Sequence, residues 1–105
     1  MHNFKPNDIL YSVWGNGQTN VSFYVVTKTT KTTVTTRGIG TQIWEPGEYQ
    51  DQVGPDLSQE GQEVRRKVQT FEGKQYLKRG SYRGAGSIKL WDGQAKIQTA
   101  FGRGR

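Results

Sequence analysis

Cysteine is absent from the 105 residues. Disulfides and thiolate metal sites are thereby excluded, and a reducing compartment suits the chain. Histidine occurs once, as His2, at a terminus expected to be frayed. That leaves no imidazole pair for a transition metal and no base to activate a serine. No metal or other cofactor is expected. No run of 18 apolar residues occurs, so no membrane-spanning helix is expected. The opening after Met1 shows no signal-peptide pattern, and the expected location is the cytoplasm. Hydrophobic residues make up only 31%, so the core is small and its margin over chain entropy thin.

Glycine is plentiful, with 14 residues, and charge is unevenly spread beneath a net +6. Residues 1–63 hold four bases against seven acids, a net −3, whereas residues 64–105 hold eleven bases against two acids, a net +9. Such polarity speaks to partners rather than to fold.

The densest apolar stretch is Asp8–Val26, DILYSVWGNGQTNVSFYVV. Its β-branched and aromatic side chains suit a pleated, half-buried surface, and Asn16-Gly17 can reverse the chain between two strands. From Thr27 to Thr36 seven of ten residues are threonine. Threonine is β-branched, so the run reads as a hairpin turning near Thr30-Lys31, with the third strand reaching Trp44. Gly38 and Gly40 mark a bulge or bend. Glu45–Glu63 has six acids, no base, two prolines and three glycines and reads as a long acidic loop. Leu57, Val64, Val68 and Phe71 recur at helical spacing, yet Gly61 interrupts them and EVRRKVQT alternates. A hairpin turning at Glu72-Gly73 is the favoured reading. SIKLW is a short strand, Asp92-Gly93 a turn, and Lys96–Phe101 a last edge strand.

The expectation is one all-β domain over residues 1–101, a small SH3-like barrel or strongly bent antiparallel roll with an acidic loop at 45–63. The Gly-Arg tail, 102–105, is expected to be disordered.

Two blocks carry a resemblance. Phe4-Lys5, Asp8–Ser12, Trp14-Gly15, Gln18–Val21 and Phe23-Tyr24 form the first, and Leu90–Gly93 followed by Thr99 the second. They resemble the opening and closing motifs of a family of small, uncharacterised bacteriophage and mobile-element proteins. The resemblance covers about a third of the chain and implies a phage or prophage origin in a bacterial host. Gln94-Ala95 stands where the family motif has Lys-Pro. No activity or site residue comes with it.

Catalytic patterns are missing. Gly84-Ala85-Gly86-Ser87-Ile88-Lys89 lacks the glycines of a phosphate-binding loop, and the carboxylates of the acidic segment read as solvated. No enzyme activity is expected. The basic second half is the strongest signal. Arg65, Arg66, Lys67, Lys74, Lys78, Arg79, Tyr82, Arg83 and Lys89 are candidate nucleic-acid contacts, with Tyr76, Trp91 and Lys96 interleaved. Cations neutralise phosphates, and aromatic faces stack unpaired bases; the bland alternative is a solvated surface over a core. The sequence does not separate DNA from RNA. The alternative is binding and modulation of a host protein through Trp14, Tyr24, Trp44 and Tyr49, the first three of which otherwise fill a core. A third possibility is a structural component that forms homo-oligomers.

Overall fold

A computed structural model describes residues 2–15, 18–80 and 86–100. The regular structure there is entirely β: β1 (Ile9–Trp14), β2 (Asn20–Thr29), β3 (Thr33–Glu45), β4 (Gln50–Phe71), β5 (Lys74–Lys78), β6 (Ser87–Leu90) and β7 (Lys96–Thr99). The first six strands pair antiparallel in chain order, and β6 pairs back onto β1, so the ladder closes on itself. Closure removes the unpaired edges that an open sheet would offer. β7 pairs with the start of β4, outside the ring. The expected small antiparallel barrel is therefore present.

Alternation along β1 and β2 sends side chains to two cores. Leu10 and Val26 face the barrel interior, with Phe4, Val34, Leu77 and Ile88, while Tyr24 and Val68 pack against them. Val21 and Phe23 face outward, where Val53 covers them together with Ile9, Tyr11, Ile39 and Trp91. Each fully buried aliphatic or Phe side chain contributes about 1.5–3 kcal/mol. The N-terminal lead-in closes the interior at the start of β1. Phe4 is buried there. Its N–H donates to His2 Nδ1, and His2 Nε2 lies 2.6 Å from the Thr30 carbonyl oxygen. His2 is therefore anchored rather than frayed.

The acidic loop is corrected to a strand. Only Pro46–Tyr49 separates β3 from β4, and residues 52–67 of β4 run beside β3. A straight strand of 22 residues would span about 75 Å, yet the longest dimension is 43 Å, so β4 must bend. Ile39 pairs with Glu60, but Gly40 pairs with Asp56, leaving Leu57, Ser58 and Gln59 as extra residues. Asp56 Oδ1 accepts from the N–H and Oγ of Ser58 and stabilises this bulge. Beyond the bend, β3 and β4 form a ribbon that folds back, with β7, over Phe23. Low hydrophobicity argues against a fully buried element, but a ribbon with one wet face satisfies its backbone while burying few side chains, chiefly Val53 and Asp51.

The third strand and the Glu72-Gly73 hairpin lie where expected, whereas β6 ends at Leu90 rather than Trp91 and β7 at Thr99, with Phe101 outside the described residues. β2 ends at Thr29 and β3 begins at Thr33, with Thr30 Oγ1 accepting the N–H of Thr33 in the turn. Residues 64–71 are strand, not helix. The Asn16-Gly17 turn and the 102–105 tail lie outside the described residues.

Candidate nucleic-acid interface

The pairing of β4 with β5 sorts the second-half cations by face. Val68 stands opposite Leu77, and both point into the barrel. Their neighbours Lys67, Gln69, Tyr76 and Lys78 therefore point outward. Rows of paired residues cross this outer face. Lys28 lies opposite Thr35, and Thr35 opposite Arg65. Thr33 lies opposite Lys67, and Lys78 opposite Ser87. Extending the Val68–Leu77 register by one step sets Lys67 opposite Lys78. Gln69 faces Tyr76, Lys89 faces Tyr11, and Phe71 faces Lys74 at the hairpin tip. From Arg65 to Phe71 the face extends about 20 Å.

Arg65, Lys67, Lys74, Lys78 and Lys89 are all exposed. Ion pairs among the described residues join only Arg37 to Glu60 and Glu63, and Lys96 to Asp92. The five outward cations thus have no carboxylate partner within 4 Å there. Like charges set opposite each other on paired strands repel, and a bound anion would relieve any such repulsion between Lys67 and Lys78. Lys28, which sequence reasoning missed, joins the same face from β2. Its neighbours in the sequence are threonines, and only the strand register brings it to Arg65.

Two candidates turn the other way. Arg66 points inward, over the Tyr24 ring at 5.6 Å. It donates from Nε to Thr36 Oγ1 and from one terminal nitrogen to the carbonyls of Lys78 and Arg79. Partial burial lowers its pKa from the usual arginine value, and the nearby Arg79 adds to that. Arg79 lies over the Trp14 ring at 4.4 Å. The Trp14 indole donates to Ser22 Oγ. Arg66 and Arg79, both candidate nucleic-acid contacts, are therefore half-buried over the Tyr24 and Trp14 rings and set apart from the outward row of cations. Trp14 and Tyr24, offered as a protein-contact patch or as core, are half-buried, each with a guanidinium group over its ring. Tyr82 and Arg83 lie outside the described residues.

The border of the basic face is acidic. Glu63 stands opposite Arg37, which donates to it at 2.8 Å and to Glu60 at 2.7 Å. Hydrogen bonding from Arg37 holds the Glu63 carboxyl below the usual glutamate range. The acidic segment thus neutralises Arg37 and leaves the outward cations of β4–β6 uncovered.

Trp44 and Tyr49 sit at the far end of the ribbon, 46% and 61% exposed. Trp44 meets Trp91 edge-on at 6.1 Å, and Trp91 meets Phe23 edge-on at 5.9 Å. Trp91 is therefore a core residue rather than part of the basic face. Lys96 lies over the Tyr11 ring at 4.4 Å and bonds Asp92.

Among the described residues no group of three or more His, Asp or Glu side chains is placed to hold a metal ion. No helix there is long and apolar enough to cross a membrane. Compared with known proteins, the chain matches no family model, no curated protein and no solved structure.

Proposed function

We propose that the protein is a non-enzymatic nucleic-acid-binding module whose contact surface is the outer face of β4, β5 and β6. The observation that carries this reading is the set of five exposed cations, Arg65, Lys67, Lys74, Lys78 and Lys89, on one side of the barrel with no carboxylate partner among the described residues. Phosphates of a nucleic-acid backbone are spaced, repeated anions that such a surface neutralises while releasing counterions. The origin belonging to this reading is the one the resemblance implies, a bacteriophage or mobile element.

Salt titration of binding to a labelled oligonucleotide tests it. About four phosphate contacts give a log–log slope near −3. Weak binding with no salt dependence overturns the reading.

A second reading has its own observation. Ile43, Trp44 and Tyr49 are large, exposed side chains around the ribbon tip, and aromatic side chains of this kind anchor protein interfaces. In this reading the protein modulates a host protein. Capture of one partner that survives nuclease treatment and is lost in Trp44→Ala supports it.

A further inference from the structure

We infer that the basic face selects unpaired over paired strands, with Phe71 and Tyr76 as its stacking platforms. This rests on the nucleic-acid reading above and adds the class of ligand. Phe71 is 66% exposed at the end of β4 and belongs to neither core. A phenyl ring left in water forgoes about 25 cal/mol for each Å² that burial would remove from solvent. Nothing in the fold requires that sacrifice, because the turn that follows needs glycine-like backbone at Glu72 and Gly73, not an aromatic residue at 71.

The position of the ring indicates its use. Phe71 lies opposite Lys74, and Tyr76 lies opposite Gln69. Two residues beyond Tyr76 and Gln69 along their strands stand Lys78 and Lys67, on the same outer side. The half-buried Tyr76 offers a ring and a hydroxyl at the centre of the patch, and Phe71 offers a bare ring at its tip. Cations that track a backbone, alternating with aromatic faces, are the requirements for holding single strands with little sequence preference. In a duplex the base faces are stacked on each other and unavailable, so Phe71 would gain nothing there. The hydrogen-bonding edge groups that would read a duplex groove are few on this face, with Gln69 the only amide among its outward residues on β4 and β5.

Fluorescence anisotropy with an oligo(dT) of about 16 nucleotides and a duplex of equal length, at matched salt, tests the inference. Wild-type protein is expected to bind the single strand more tightly than the duplex. Phe71→Ala should weaken oligo(dT) binding by roughly five- to hundredfold and leave duplex binding unchanged, with an unaltered circular dichroism spectrum. Phe71→Leu, which keeps an apolar side chain, should lose affinity as well, whereas Phe71→Trp should retain it and show indole quenching on oligo(dT). If Phe71→Ala or Phe71→Leu binds oligo(dT) like wild type, or if the duplex binds as tightly as the single strand, stacking selection is wrong. Salt-dependent binding would then still sustain the broader reading. If neither nucleic acid binds, both readings fall together.

Discussion

Single positions decide how the basic face is displayed. The β4–β5 turn has φ of +52° at Glu72 and +78° at Gly73, the left-handed pair that a two-residue hairpin requires. Gly73 fits without penalty, but Glu72 is a side chain in a region that costs about 1–3 kcal/mol for most residues. Glu72→Asn should therefore raise Tm, since asparagine tolerates that region better, and thermal unfolding measures it. Arg66 is a different case. Its side chain bonds Thr36 and two carbonyls from within the barrel wall, geometry that lysine cannot reproduce. Arg66→Lys should lower stability by about 2–3 kcal/mol in a urea titration and leave the salt slope of binding unchanged. Gly54 sits beneath Trp44, where a Cβ would fall inside the indole ring. Gly54→Ala should displace that ring from Trp91 and cost about 1–3 kcal/mol. The Glu72-Gly73 turn was legible because the dipeptide lies between two alternating runs. The inward turn of Arg66 was not, because alternation in Arg65-Arg66-Lys67 shows which residues share a side but not which side faces the core.

At the scale of elements, β4 is the strand that composition conceals. Its first half is acidic and glycine-bearing, which resembles a loop to any reading based on hydrophobicity. Its backbone is nevertheless paired with β3 and β7, and its acids have separate partners: buried Asp51 accepts the Gly47 N–H, Asp56 accepts from Ser58, and Glu60 and Glu63 bind Arg37. The bulge at Leu57–Gln59 bends it and sets Glu60 and Glu63 about Arg37. The pH behaviour follows from the lowered Glu63 carboxyl. A carboxylate held lower in the folded than in the unfolded protein stabilises above its ordinary pKa of about 4.3 and loses that contribution as pH falls through the folded value. Tm should therefore drop between pH 5 and pH 3 by less in Glu63→Gln than in wild type; equal drops would remove the role given to this pair. The strands β1, β2, β3 and β6 were legible because their β-branched and aromatic residues sit between turn signals. The two-core arrangement was not, since it depends on where β4 folds back.

Over the whole molecule, a closed ring of six strands holds one core inside and lays a second beneath a folded ribbon. Charge follows this division. Most of the acids from residue 45 to 63 lie along the ribbon and the bend, and the exposed bases of β4–β6 lie on the barrel wall. The sequence showed that the two halves differ in charge; strand register alone shows that five bases share a surface and that Lys28 joins them. The most direct test compares two variants with the same net charge. Lys67→Gln/Lys78→Gln removes two cations from the outer face, whereas Gln50→Glu/Gln52→Glu adds two acids to the ribbon, where both glutamines are exposed. For a single-stranded oligonucleotide, the face variant should reduce the log–log salt slope by about 1.4 in magnitude, and the ribbon variant should leave it near the wild-type value. Equal slopes in the two variants would show that net charge, not this face, governs association, and would contradict the account.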